Sequence, residues 1–520
     1  MVSQEPLLVP YGTTSQVRQL PGGRNSKLSR ELGALLKTVF VVIALTIFRL
    51  WAMANFDLVP DEAYYWLWSR VPSAGYYDHP PMIAWWIWIS THLFGNTLLG
   101  VRVLAIISVL ITSAAVYATA RELFDDPKIA CIASIWLNAM LLMGLAALFA
   151  TPDAPSTMFW ALTLWTLARL RNGGDPRLWL LTGLLAGLGC VAKYTNLFMG
   201  PGILLWLALD PKARPWRFSP WLLAGGAVAF VAFSPVLAWN ASHNWISFAK
   251  QFGRLADQYA GLSYFGEFVA GQFGLLNPLI AIFATLTIYR WLRAPNLKPS
   301  QPIAFLVLLN GPLVIYMIFH ALHDRVHANW PGPAYPAIAI LAATAAVRIH
   351  DRKHLRRLSY WVAPVGIGLS CLLLFYFATP WGETFPLHSP ADTLLGWHEF
   401  AEQLETMREN SGADWLATTD YGLTGELAFE LGNGSPVVQI VDRQRFTFET
   451  PDPLLVDKPA LLVVPTNEGA IERYAGCFDS FSVLGNLSRQ AGNRVIQSYT
   501  IAMVQGAPEN LLSDGCPLKL

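Results

Sequence analysis

Four ionisable side chains lie close together in an aromatic-rich stretch of the chain, residues 59–94. Asp61 and Glu62 stand in the segment PDEAYYWLWSR, and Asp78 and His79 stand in the segment GYYDHPPM. Carboxylates beside long apolar segments are costly to keep unless they bind a ligand or take part in a reaction. A carboxylate in such a place can deprotonate a hydroxyl group, orient it, or bind a divalent cation. We therefore take this stretch as the candidate active site, with these predicted substrate-binding residues: Glu62, Tyr65, Asp78 and His79.

Ionisable groups also stand in three later loops between apolar segments. Asp153 lies in ATPDAPS, Lys193 lies in KYTN, and Arg325 and His327 lie in HDRVHANW. Lysine and arginine can pair with a phosphate group, and arginine can do so through two hydrogen bonds.

Each of these groups also has a purely structural alternative. An acid such as Asp61 or Asp153 is favoured at the start of a helix, where it meets the helix dipole or caps the first turn. Lys193 can extend its amine towards the membrane interface. The loop that carries Arg325 and His327 can be a solvated turn, because its Pro and Gly residues prevent a regular helix.

The composition places most of the chain in a membrane. Hydrophobic residues make up 54% of the 520 residues and charged residues only 14%, whereas soluble domains contain about 25% charged residues. No basic face or binding motif indicates nucleic acid as a partner. Residues 1–31 form a polar tail, and about eleven later segments approach the length of a membrane span. The predicted spans are 32–53, 98–118, 129–150, 154–170, 178–192, 196–209, 219–240, 266–290, 302–320, 332–348 and 359–378.

The distribution of Lys and Arg residues predicts the orientation of these spans. Alternate loops hold nearly all of these residues, which indicates the cytoplasmic side of a membrane. The N-terminus then lies in the cytoplasm, and the candidate active-site groups all face outward. The outward loop 54–97 also contains a Trp-rich segment, 80–94, which we predict to be a helix lying along the outer membrane surface.

The part of the chain after residue 379 has the pattern of a soluble domain. A helical segment at 393–410 precedes the strand candidates WLATT, VVQIV, ALLVVP and RVIQSYTIAMV, which predicts an α/β domain over residues 380–520. Cys477 and Cys516 lie in this domain and could pair as a disulfide outside the cytoplasm. The spacing of the cysteines does not indicate a zinc site.

These motifs resemble those of the membrane glycosyltransferases of the GT-C fold. The chain is most similar to the family that includes the protein O-mannosyltransferases, the bacterial aminoarabinose transferase acting on lipid A, and the rhizobial galacturonosyltransferases. DEAYYWLWSR, GYYDHPPMIAW, TPDAP, KYTN and HANWPGPAYP carry the resemblance, in this order. It covers residues 33–350 approximately.

The resemblance implies an enzyme that inverts the anomeric configuration and takes its sugar from a polyprenyl-phosphate carrier. Asp61 and Asp153 match the family's two outward catalytic acids, and Asp61 would activate or position the acceptor. Lys193, Arg325 and His327 would bind the donor phosphate, since cations stabilise the negative charge that develops there. The family leaves metal dependence open, so a divalent cation remains a possible cofactor.

The sequence thus predicts a polytopic α-helical membrane protein with a C-terminal soluble α/β domain. We expect it in a bacterial inner membrane, with the transmembrane domain at 32–379 and the C-terminal domain in the periplasm. Its expected partners are a polyprenyl-phosphate sugar, a lipid A or lipopolysaccharide acceptor, and membrane lipids. One alternative is a protein O-glycosyltransferase. Another is a secondary transporter, although transporters tend to show internal repeats and charges near the midplane.

Overall fold

Apolar helices form most of the chain up to residue 377. A computed structural model describes residues 22–253, 262–294, 301–349, 352–381, 390–432 and 434–517. Helices suit a bilayer because each one satisfies its backbone hydrogen bonds within itself. The helices of this part are α1 Gly22–Met53, α2 Pro60–Arg70, α3 Met82–Phe94, α4 Leu98–Phe124, α5 Pro127–Asn138, α6 Leu141–Gly144, α7 Asp153–Arg171, α8 Leu178–Ala192, α9 Met199–Leu209, α10 Pro220–Ser242, α11 Ile246–Phe252, α12 Leu262–Leu275, α13 Pro278–Leu292, α14 Pro302–Ala321, α15 Tyr335–Arg348 and α16 Lys353–Phe377. Short 3₁₀ turns lie between them at Ala146–Leu148, Tyr194–Phe198, Pro211–Trp216 and Gly332–Ala334.

Five of these helices are long and apolar enough to cross a membrane by themselves. They are Leu28–Met53 within α1, α4, α10, α14 and α16, and α12 with α13 would make a sixth span if the bent pair is counted as one. The helices α7, α8, α9 and α15 fall on predicted spans but are shorter or less apolar. The predicted tail 1–31 lies outside the described residues up to residue 21, and α1 already begins at Gly22.

The prediction of one continuous span at 129–150 is wrong. The helix α5 ends at Asn138, and short helical turns follow. Asn138 is fully buried. Its side-chain nitrogen Nδ2 donates to the hydroxyl of Ser113, and its side-chain oxygen Oδ1 accepts from Arg49. The chain then turns so that the backbone N–H of Ala150 reaches the carboxylate of Glu62.

The prediction of one straight span at 266–290 is also wrong, because α12 and α13 meet at an angle of 103°. Asn277 lies between them with φ of +67° and caps α13 by accepting a hydrogen bond from the N–H of Leu279. Pro278 follows, and proline lacks the N–H that a continuous helix needs and disfavours a helical residue before it.

The C-terminal domain contains a mixed five-stranded sheet flanked by helices, as predicted. Its sheet has the order β2-β1-β3-β5-β4, in which β1 runs parallel to β2 and β3, and β5 runs antiparallel to β3 and β4. The elements are α17 Trp397–Ser411, β1 Trp415–Thr418, α18 Tyr421–Leu431, β2 Val437–Gln439, β3 Ala460–Pro465, β4 Ser480–Ala491, β5 Arg494–Gln505 and α19 Leu511–Asp514, with 3₁₀ turns at Pro390–Leu394, Arg443–Phe446, Pro453–Asp457, Thr466–Glu468 and Ile471–Cys477.

The sequence did not predict β4 or α18. The strand β4 lies at the edge of the sheet, contains Gly485 at a break in its register with β5, and is polar along much of its length. A regular alternation of apolar and polar residues, the usual sign of a half-buried strand, is therefore weak there.

Cys477 and Cys516 form a disulfide with their Cα atoms 5.7 Å apart.

Candidate active site

A polar cavity of about 270 Å³ lies where the helical part meets the C-terminal domain. It collects side chains from α2, from the loops before α3, α7 and α15, and from the C-terminal domain. Most of the residues singled out from the sequence lie on its wall. The lining residues are Asp61, Tyr64, Tyr65, Asp78, His79, Thr151, Pro152, Asp153, Lys193, Gln251, His327, Asn329, Trp330, Tyr421 and Arg445.

Asp61 lies in the first turn of α2, directly after Pro60. Proline is favoured at the first helical position, and an acid is favoured in the first turn. Oδ1 of Asp61 accepts a hydrogen bond of 2.9 Å from the hydroxyl of Tyr421. Burial raises the pKa of the Asp61 carboxyl, although the Tyr421 hydrogen bond and the charges of His327 and Arg445 act in the opposite direction. The carboxyl of Asp61 therefore binds protons more readily than that of an isolated aspartate.

Asp153 and Lys193 form a nearly buried ion pair on another part of the wall. Nζ of Lys193 lies 2.7 Å from Oδ1 of Asp153, and Nδ2 of Asn329 donates to Oδ2 at 2.7 Å. Lys193 is only 5% exposed, and its backbone is extended where α8 ends. This pairing holds a single cationic amine at a fixed position on the wall, as a site for an anionic group requires.

Asp78 is held by the C-terminal domain. Its Oδ2 accepts from Nη1 of Arg445 at 2.6 Å and from the hydroxyl of Tyr64 at 3.1 Å. Burial raises the pKa of Asp78, and the charge of Arg445 is the largest effect that opposes it. Asp78 thus lines the cavity as one half of an ion pair between the two parts of the chain.

Glu62 does not line the cavity, in contrast to the prediction that it binds substrate. Its side chain is completely buried and lies 2.7 Å from Nη2 of Arg102. The carboxylate also accepts from the backbone N–H groups of Val59 and Ala150, at 3.1 and 2.7 Å. Successive residues on a helix point about 100° apart, so Asp61 faces the cavity while Glu62 faces the protein interior. We assign Glu62 a structural role at the start of α2.

Arg325 also lies away from the cavity, although it was predicted to bind the donor phosphate. Its side chain is 63% exposed, and Nε lies 2.9 Å from Oε2 of Glu267 on α12. His327, two residues later, does line the cavity, and its ring lies 5.4 Å from that of Trp330. The remaining predicted residues, Tyr65 and His79, line the cavity with their ring centroids 6.2 Å apart.

Eight of the fifteen lining residues are not among the site residues predicted from the sequence. Tyr421 and Arg445 come from the C-terminal domain, in segments without a motif. Asn329 stands within HANWPGPAYP, a motif that could have pointed to it. Gln251 donates to the backbone carbonyl of Asp78 from α11.

Among the described residues, no three His, Cys, Asp or Glu side chains are placed to hold one ion. The cation on the wall closest to Asp153 is the amine of Lys193.

The chain is similar to several known proteins. Residues 78–239 match the model of the dolichyl-phosphate-mannose-protein mannosyltransferase family. A lipid A galacturonosyltransferase, RgtD of Rhizobium johnstonii, is 29% identical over 76% of this chain and 83% of its own length. An undecaprenyl phosphate-α-4-amino-4-deoxy-L-arabinose arabinosyl transferase of Pseudomonas fluorescens is 28% identical over 38% of this chain, and the match spans only 39% of that protein.

The fold matches a solved membrane enzyme. ArnT from Cupriavidus metallidurans, in a crystal structure with bound undecaprenyl phosphate, superposes with a TM-score of 0.63 over 90% of this chain and 98% of that one, at 17% identity. Its apo structure gives a TM-score of 0.59. The protein is accordingly a multi-pass membrane protein with an ArnT-like GT-C fold.

Proposed function

We propose that this protein is an inverting glycosyltransferase that moves a sugar from a polyprenyl-phosphate carrier to a lipid A or lipopolysaccharide acceptor. The observation that carries the proposal is the presence of Asp61 and the Lys193–Asp153 pair on one polar cavity. The names of the relatives, which are lipid A and undecaprenyl-phosphate sugar transferases, support the same substrates. They favour neither a transporter nor a protein acceptor.

The donor phosphate would lie against Lys193 and His327. As the bond between the anomeric carbon and the phosphate oxygen breaks, its electron pair stays on the phosphate. Negative charge therefore grows at the leaving group, and a cation already fixed nearby lowers the barrier. Asp153 and Asn329 hold the Lys193 amine in place, so little reorganisation is needed during the reaction.

The isoprenoid chain of the donor needs an apolar surface next to this phosphate position. An apolar groove of about 780 Å³ lies between α8, α9 and α10, and Asn196, three residues after Lys193, is on its wall. Small residues such as Gly183, Gly187 and Ala229 line it. A chain of isoprene units could bury its methyl groups there while its phosphate reaches Lys193.

Asp61 would act on the acceptor from the other side of the sugar. With a hydroxyl acceptor, its carboxylate takes the proton as the new bond to the anomeric carbon forms. With a phosphate acceptor, which is already anionic, Asp61 positions the attacking oxygen and no base is needed. In both cases attack comes from the side opposite the departing phosphate, and the anomeric configuration inverts.

We place this chemistry at the periplasmic face of a bacterial inner membrane, with the N-terminus in the cytoplasm and the C-terminal domain in the periplasm. The Lys and Arg residues of the loops support this orientation. The disulfide between Cys477 and Cys516 supports an oxidising compartment for the C-terminal domain.

The test is transfer by the purified protein in detergent, supplied with undecaprenyl-phosphate sugars and lipid A. We expect a glycosylated lipid and free undecaprenyl phosphate from the wild type, and neither from Asp61→Asn. Asp125→Asn is the matched control, since Asp125 is 96% exposed at the end of α4 and does not line the cavity. A fully active Asp61→Asn variant would remove Asp61 from the mechanism. Absence of transfer with any lipid-linked sugar would refute the proposed function.

A further inference from the structure

We infer that Tyr421 is a positioning residue for Asp61, so that the C-terminal domain forms a working wall of the active site. The inference rests on the proposed function for its catalytic meaning, but not for its geometry. The hydroxyl of Tyr421 and the carboxylate of Asp61 lie 360 positions apart in the chain and 2.9 Å apart in space.

Close packing of two helices brings Tyr421 to this position. Tyr421 is the first residue of α18, and Asp420 caps that helix by accepting from the N–H of Leu423. A Cβ atom added to Gly425 would lie 2.7 Å from the backbone of Ala63 on α2. Such short contacts do not occur in proteins, so only glycine allows α18 to approach α2 this closely.

The ring of Tyr421 is held from two sides. Its centroid lies 5.1 Å from that of Tyr64, in an edge-to-face arrangement, and the guanidinium of Arg445 lies 4.8 Å above it. Burial and the charge of the nearby Asp61 raise the pKa of Tyr421 above its ordinary value of 10.0. The phenol therefore stays protonated and donates to Oδ1 of Asp61. Within the described part of the chain, Oδ2 makes no hydrogen bond and is left for the acceptor.

The protonation of Asp61 depends on a small set of neighbours. Its burial and the charge of Asp153 raise its pKa, while the Tyr421 hydrogen bond, His327 and Arg445 lower it. Of the lowering effects, the Tyr421 hydrogen bond is the largest. Removal of the hydroxyl should thus raise the pKa of Asp61 and move the acid limb of the pH–rate profile to higher pH.

Tyr421→Phe is the test, since it removes the hydroxyl and keeps the ring. We expect kcat to fall roughly tenfold or more, as for loss of a hydrogen bond to a charged group, with an unchanged KM for the donor. The acid limb should move to higher pH. Tyr474→Phe is the matched control, because Tyr474 is a buried tyrosine of the same domain with its hydroxyl bonded to Arg473. The inference would be overturned if Tyr421→Phe had the same kcat as the control. It would also be overturned if kcat fell while the acid limb of the pH–rate profile stayed at the same pH.

A second measurement separates this inference from the proposed function. Infrared difference spectra between the wild type and Asp61→Asn give the protonation of Asp61 as a function of pH, without any turnover. The same difference spectrum is then taken between Tyr421→Phe and the double variant Tyr421→Phe, Asp61→Asn. The pH at which Asp61 is half protonated should be higher in this second pair than in the first. An unmoved midpoint refutes the role of Tyr421 even if transfer is observed, and a moved midpoint supports it even if no transfer is found.

Discussion

Replacement of Glu62 by Gln should destabilise the protein without removing a substrate contact. Glu62 and Arg102 are both completely buried and joined at 2.7 Å. The guanidinium also donates to the backbone carbonyls of Met53, Phe56 and Asp57, at 2.8, 2.8 and 2.6 Å. These contacts join the end of α1 to the start of α2, which carries Asp61.

The magnitude follows from the charge that is left behind. Glu62→Gln keeps the shape of the side chain but leaves Arg102 as a buried cation without its counterion. Removal of one partner of a buried ion pair costs about 3–5 kcal/mol. Gln can still accept from one N–H, so we expect the lower part of that range. The start of α2 should loosen, because the backbone N–H groups of Val59 and Ala150 both donate to this carboxylate.

The assay is thermal unfolding in detergent, followed by size-exclusion chromatography, with transfer measured per folded molecule. Glu267→Gln is the control, since the Glu267–Arg325 pair is 52% and 63% exposed and such surface pairs contribute about 0–1 kcal/mol. We expect a clear fall in melting temperature for Glu62→Gln and little change for the control. If Glu62→Gln kept the wild-type melting temperature yet lost activity, Glu62 would be a substrate residue and the structural assignment would be refuted.

Three further predictions concern other parts of the structure. Lys193→Ala should raise the KM for the donor far more than that for the acceptor, and equal effects on both would contradict the assignment of its amine to the donor phosphate. Glu426 is fully buried, and burial raises its pKa well above the ordinary value of 4.5. The folded state therefore favours the neutral acid, whereas the unfolded state loses its proton above about pH 4.5. The free energy of unfolding then falls as the pH rises, by up to about 1.4 kcal/mol per pH unit. Glu426→Gln should flatten this part of the dependence of melting temperature on pH, and an unchanged slope would count against it. Cys477→Ser removes a bridge that closes a separation of 39 residues and should cost about 3–4 kcal/mol, seen as a lower melting temperature that reducing agent reproduces in the wild type.

Local sequence was enough to identify the kind of protein and the loop that contributes Asp61, Asp78 and His79 to the cavity. Scarcity of charge indicated a membrane, and most apolar segments correspond to helices at nearly the predicted bounds. Asp61, Asp78 and His79 stand close together along the chain, so their proximity required no knowledge of the tertiary fold. Where a local polar residue interrupts an apolar segment, as at Asn138 and Asn277, hydropathy alone failed to predict the helix end.

The direction in which each side chain points was decided only by tertiary packing. Asp61 and Glu62 are neighbours of the same charge, yet one faces the cavity and the other is sealed against Arg102. Arg325 and His327 lie two residues apart, and only His327 reaches the wall. No spacing in the sequence separates the members of these pairs, because the outcome depends on which distant surface packs against each face.

The residues that the C-terminal domain contributes to the cavity could not be predicted from the sequence either, because their position also depends on the packing of distant surfaces. Tyr421 and Arg445 lie in segments of the C-terminal domain that carry no motif. They reach the cavity only because this domain packs against α2 and against the loop that carries Asp78. Hydropathy and charge specify which segments enter the membrane, because both quantities are obtained by adding the contributions of consecutive residues. A site assembled from residues 360 positions apart depends on complementary surfaces, and these exist only in the folded chain.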